Sequence, residues 1–316
     1  MKQIKNYLKM INPFNNMEEM PTPLYAVKKA LAFLLLYYVT GLVGGEVLII
    51  GGLTLMGYDP LHGVMPAEPI ASLIPYYGFS VFLLAAILYC KLVEKRTIKS
   101  MGFNKKIFDY LIGGVIAIFL LVIIMGVCCL TGGISYVGMA KEIDYTYMIA
   151  LLVGLMIQGA TEEGLCRGFL MPSLLKKMNT PAAILISSTA FAFPHFFTLF
   201  EADLGYAVVG TVNLYLVSAI FSLLALRRTN IWVACGLHSI WNFMLYGFFG
   251  LTLSGSEAGT AGVISFTVNE FSLINGGVYG IESSILTTIV LGAVVVLLCK
   301  FDNKIDYELK YTQKYN

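Results

Sequence analysis

Leu151-Leu152-Val153-Gly154-Leu155-Met156-Ile157-Gln158-Gly159-Ala160 runs without a break into Thr161-Glu162-Glu163-Gly164-Leu165-Cys166-Arg167. The first ten residues are apolar but for Gln158 and read as part of a membrane-spanning helix. Two adjacent carboxylates and an arginine then fall inside the span. A charge at bilayer depth costs several kcal/mol, so such groups are rare there and mark functional sites by default.

The rest of the chain agrees with that reading. Of 316 residues, 58% are hydrophobic and 13% charged, about half the charge of a soluble domain. Several apolar runs reach the roughly 20 residues that a bilayer requires, and they are continuous rather than alternating. The fold class expected is all-α, a polytopic transmembrane helical bundle, and a β-barrel is excluded. The six cysteines form no Cys-x-x-Cys, so neither a disulfide framework nor a structural zinc site is indicated. A net charge of +2 gives no footprint for nucleic acid, and the lipid bilayer is the partner implied.

Eight spans are predicted, at roughly 27–56, 70–90, 108–131, 147–171, 181–199, 207–226, 231–250 and 284–300. Nineteen of the 21 lysines and arginines lie before residue 30, in 91–107, just after spans four and six, or at the C-terminus. The alternate connections (57–69, 132–146, 200–206 and 251–283) hold nine acids and only Lys141. This alternation puts both termini in the cytoplasm of a multi-pass cell-membrane protein. Residues 1–24 are expected as a cytoplasmic tail without a cleavable signal peptide, with Ile4, Leu8 and Ile11 able to line one side of an interfacial helix. Residues 25–300 form one transmembrane domain with its core at about 147–250, and 301–316 a second cytoplasmic tail. The 251–283 connection is either a lid or a plain loop.

Spans four, five and seven carry the polar residues that bear on function. Glu163 and Arg167 are i, i+4 with the glutamate first, the favourable order for a helical ion pair, which assigns them a structural, orienting role. Glu162 points about 100° away, on the side of Gln158 and Cys166, and needs a partner from another helix. It is either a proton-transfer group or helix-to-helix glue. Span five carries Phe191-Ala192-Phe193-Pro194-His195. Span seven carries His238-Ser239-Ile240-Trp241-Asn242, with His238 and Asn242 on one face. A carboxylate, two imidazoles and a carboxamide from three helices are the set needed to activate a water and stabilise an oxyanion. His62, in an outer loop between Pro60 and Pro66, is left as solvated.

Glu162-Glu163-x-x-x-Arg167, Phe191-x-x-x-His195 and His238-x-x-x-Asn242 occur in this order, each in its own span. In this the chain resembles the CAAX protease and bacteriocin-processing family of intramembrane proteases, which includes the type II CAAX prenyl endopeptidases and proteins similar to lysostaphin resistance protein A. The resemblance implies an endopeptidase acting on membrane-associated, prenylated or leader-type peptides. It implies catalytic roles for Glu162 and His195 in activating water, an oxyanion site from His238 and Asn242, and Glu163 with Arg167 holding the constellation. The family is described both as metal-dependent and as metal-free; Glu162, His195 and His238 are also a ligand set for catalytic zinc, but no His-Glu-x-x-His is present and the metal-free reading is favoured. The competing readings are a non-catalytic immunity or regulatory protein and a transporter, the latter disfavoured by the lack of internal repeats. Helix positions leave open whether the site lies mid-membrane or opens to the cytoplasm.

Overall fold

A computed structural model describes residues 2–256 and 262–300, and the expected tail at 301–316 lies outside them. The chain is a bundle of long helices. After a short amphipathic α1 (Lys2–Ile11) come α2 (Thr22–Leu55), α3 (Ile70–Leu92), α4 (Asp109–Leu130), α5 (Tyr145–Leu175), α6 (Thr180–Leu199) and α7 (Leu204–Arg228). These last six are long and apolar enough to cross a membrane. Then follow α8 (Trp232–Asn242), continued by π-helical turns over Phe243–Phe248, and α9 (Ile285–Lys300). The protein is a multi-pass membrane protein. Each of the eight expected spans falls on a helix, but the last two are short. The π turns of α8 stop at Phe248, and the chain before α9 is tied down up to Ser284 by hydrogen bonds, including one from Asn213 Nδ2 to the Ser284 carbonyl.

Two strands were not foreseen. β1 (Ile134–Met139) pairs antiparallel with β2 (Ile264–Val268), Ile134 opposite Val268 and Met139 opposite Ile264, with a bulge between Tyr136 and Gly138. The alternation of Ile264, Phe266 and Val268 is the pattern of a half-buried strand. The pairing clips the 251–283 connection to the loop after α4.

Helix α8 sits at the centre, packed against α4, α5 and α7. Small residues allow this approach, as is general where lipid supplies no hydrophobic drive. A Cβ added at Gly113 of α4 would strike the Val233 carbonyl, and one at Gly236 of α8 the Tyr110 carbonyl. Gly159 of α5 faces Ser239 of α8 in the same way, at 2.5 Å from its Oγ. The last contact brings the glutamates of α5 against His238.

The basic residues gather at one end of the bundle, and many are bound there rather than free for lipid. Arg96 donates to the Gly168 carbonyl at 3.0 Å and to Ser173 Oγ at 3.1 Å. Arg228 pairs with Asp109 at 2.6 Å. Lys29 and Glu94 form a fully buried ion pair at 2.5 Å, and Lys28 reaches back to Asn15 and the Met17 carbonyl. Lys176 pairs with Glu18 and Lys177 with the Met20 carbonyl. The segment before α2 is thereby fastened to the ends of α3 and α5. Only part of the expected N-terminal tail is therefore exposed.

Candidate active site

Arg167 is fully buried and its guanidinium organises three helices. Its Nη1 donates to Glu163 Oε1 at 3.1 Å, Nη2 to the carbonyl and hydroxyl of Ser218, and Nε to Ser222 Oγ at 3.3 Å. The rings of Phe191 and Phe221 flank it, 4.9 and 5.2 Å from its Cζ. A buried guanidinium persists only when its donors are used in this way. The turns that carry it, Gly164–Leu170, are π-helical, a form that recurs at functional sites.

Glu163 passes this order on. Its Oε1 also lies 3.1 Å from His238 Nδ1. A carboxylate oxygen accepts, so Nδ1 carries the proton and Nε2 is the nitrogen left for chemistry. That Nε2 is 3.8 Å from Glu162 Oε2, longer than a direct hydrogen bond. The other oxygen of Glu162 accepts from Gln158 Nε2 at 3.4 Å, and Gln158 Oε1 accepts from Asn242 Nδ2 at 3.3 Å. Glu162, Gln158, Asn242 and His238 thus form one network between α5 and α8.

His195 comes from a different direction. Pro194 lies in a 3-10 turn, Phe193–His195, at the end of the α-helical part of α6. The half-buried His195 directs Nδ1 at the Phe191 carbonyl, 3.2 Å away. A carbonyl cannot donate, so here too Nε2 is the free nitrogen. Phe191 sits between the imidazoles, its ring 5.2 Å from that of His195 and 5.8 Å from that of His238.

A cavity of about 180 Å³ joins these groups, with Gln158, His195, His238 and Asn242 among its lining. Glu162 stands one side chain back. It borders a separate void of about 10 Å³ with Tyr37 and Pro194, and it reaches the cavity wall through Gln158 and His238. Among the described residues no hydrogen bond or ion pair joins Glu162 to His195. From the imidazoles the cavity runs away from the basic end, toward Leu253, Ser254, Tyr279 and Glu282. Residues within 253–256 and 279–282 of the 251–283 connection thus form part of the cavity wall. His62 is outside all of this, with its side chain 79% exposed.

The residue types in Glu162, His195 and His238 suit zinc. Among the described residues, however, no three or more His, Cys, Asp or Glu side chains converge in an arrangement that could hold a metal ion.

Ser218, Ser222, Gln158, Asn213 and Glu282 were not among the site residues read from sequence. Ser218 and Ser222 had a legible signal, two hydroxyls at i, i+4 in an apolar helix. Glu282 had none, lying beyond the motifs in a Gly/Ser-rich stretch.

Residues 144–244 match the family model described as Type II CAAX prenyl endopeptidase Rce1-like, a protease family. The match spans α5 to α8, the helices that carry every residue of the three motifs. No curated protein matches the sequence.

Proposed function

We propose that the chain is an intramembrane endopeptidase in which Glu162 is the general base. A water held between Glu162 Oε2 and His238 Nε2 gives a proton to the carboxylate while its oxygen attacks the scissile carbonyl, in a cavity that His195 also lines. The Nδ2–H of Asn242 not used by Gln158 stabilises the oxyanion. His238 joins it as a donor when its ring carries both protons. The C–N bond then breaks and the proton on Glu162 passes to the leaving nitrogen. Glu163 and Arg167 touch no substrate and act by fixing His238.

The observation that carries the reading is the 3.8 Å approach of Glu162 to the free nitrogen of His238, beside a cavity that His195 and Asn242 share. The family match of residues 144–244 supports hydrolysis of a peptide bond at the membrane over a role by binding alone.

The test is cleavage of membrane-anchored peptide libraries by the protein reconstituted in liposomes, read by mass spectrometry. Removal of a general base lowers the rate roughly 10²–10⁴-fold, so Glu162→Gln and His238→Ala fall to that extent while remaining folded. Activity persists after dialysis against a strong chelator. Full turnover in Glu162→Gln would refute the mechanism, and loss on chelation restored by zinc would replace it with a metal-dependent one.

A further inference from the structure

The far half of the cavity carries chemistry that the proposed hydrolysis does not use. Glu282 lines it, half-buried, just ahead of α9. Its Oε2 accepts from the backbone N–H of Ser254 at 2.7 Å and from Ser254 Oγ at 2.9 Å, and its Oε1 from Trp241 Nε1 at 3.3 Å. All three donors are neutral. Among the described residues no lysine, arginine or histidine pairs with this carboxylate.

Asn213 of α7 adds an independent observation. It is 3% exposed and lines the same cavity. Its Nδ2 donates to the carbonyls of Glu282 and Ser284 at 2.8 and 2.9 Å, which fixes the orientation of the amide. Its Oδ1 has no hydrogen-bond partner. A buried acceptor left unmade carries a desolvation cost, so such a group in a cavity marks the place of a missing donor. The free polar groups here are two acceptors, the Glu282 carboxylate and the Asn213 amide oxygen, together with the Tyr279 hydroxyl, which lines the same cavity and also has no hydrogen-bond partner. The walls between this end and the imidazoles include Leu214, Val217, Leu253 and Leu291.

We propose that this end of the cavity is a specificity subsite for a cationic group of the substrate, held by Glu282 and Asn213 Oδ1 with its alkyl stem along the leucine-lined wall. The group is an ammonium or guanidinium, carried by a lysine or arginine side chain or by the free amino terminus of a peptide. The assignment rests on the reading of the inner end as the site of peptide hydrolysis. It gives that site a register, because Trp241 links Glu282 to the helix that carries His238 and Asn242. A substrate anchored by its cation thus presents a bond at a fixed distance from the anchor.

The experiment measures binding apart from cleavage. The full chain, as wild type and as Glu162→Gln, is placed in nanodiscs of uncharged phosphatidylcholine. It is titrated with acetylated, amidated Leu-Leu-X-Leu peptides in which X is lysine, arginine, norleucine or glutamine. The norleucine peptide with a free amino terminus forms a further arm. Fluorescence of Trp241, one of only two tryptophans, reports occupancy. A hydrogen-bonded charge contributes about tenfold in affinity. Lysine and arginine peptides are expected to bind about tenfold or more tightly than norleucine in both proteins, and to lose that preference in Glu282→Gln. Glu282→Asp keeps the charge and retains a preference, which separates lost recognition from a loosened wall. A preference confined to the free-amino peptide assigns the subsite to a chain terminus. Equal binding of lysine and norleucine, a preference surviving in Glu282→Gln, or no binding of any peptide overturns the proposal. Failure of hydrolysis alone does not, since Glu162→Gln is read by binding.

Discussion

Replacement of Arg167 by methionine tests the centre of the site most directly. The substitution keeps apolar volume between Phe191 and Phe221 but removes the cation beside Glu163. Glu163 Oε2 already lacks a hydrogen-bond partner, and Oε1 would keep only His238. A buried pair broken from one side costs about 3–5 kcal/mol, because the remaining charge is left without compensation. The double variant Glu163→Gln/Arg167→Met leaves no such charge. Replacement of both partners of a buried pair is often near neutral, so it should recover most of the loss. Glu163→Gln alone strands the buried guanidinium at a similar cost, so the coupling, the two single losses less that of the double variant, is at least about 3 kcal/mol, well above the ~0.5 kcal/mol scatter of independent sites. Reversible unfolding of the four proteins in the cycle, followed in bicelles, gives this number. Peptide cleavage by the same proteins separates stability from orientation, since the double variant refolds His238 beside an uncharged neighbour and turns over slowly. Additive losses within about 0.5 kcal/mol would refute the claim that Arg167 acts through Glu163.

Two further predictions concern the scaffold. Gly236→Val drives a side chain into the Tyr110 backbone. Overpacking costs about 1–3 kcal/mol where neighbours can yield, and the carbonyl of a packed helix yields little, so a loss of about 3 kcal/mol or more is expected, read as a lowered melting temperature. Gly51→Ala, which meets nothing within 4 Å, should instead gain about 0.5–1 kcal/mol. At the basic end, burial pushes the Glu18 carboxyl up, but its bond to Lys176 and the charges of Lys176, Lys29 and Lys177 outweigh this and hold it below the usual glutamate range. A group with a depressed folded value contributes stability above its unfolded value and loses it as the pH falls through the folded one. The amide protection factors of residues 12–20, corrected for the intrinsic exchange rate, should therefore fall on acidification below the ordinary glutamate range, and Glu18→Gln should show no such step. An unchanged pH response in Glu18→Gln would show that another group fastens the segment.

Much of this was legible in the sequence because a bilayer permits few solutions. Glu163 and Arg167 at i, i+4 pair as the spacing demands, and Glu162 turns to Gln158 and to a second helix because its own helix offers no cation. His238 and Asn242, one turn apart, face the same helix α5. What the sequence hid depends on long-range geometry. The spacing could not tell that His238 addresses both glutamates, because that depends on the Gly159–Ser239 approach. It could not tell that Lys28 and Lys29 are buried, because their partners, Asn15 and Glu94, lie in other segments. The direction of the cavity was equally hidden, since it is set by where 251–256 and 277–284 fold back over α7 and α8.

The π-helical turns at Gly164–Leu170 have a consequence for the length of the chain. Each such turn accommodates one residue more than an α-turn, so its amino-acid count is part of its shape. Losing a single residue between Glu163 and Met171 would tighten a π turn to an α-turn and disturb the placement of Arg167 between Glu163 and Ser218. The loop at 57–69, bound to little else, would absorb the same deletion. Tolerance to insertions and deletions should therefore be lowest at the widest turns of the molecule.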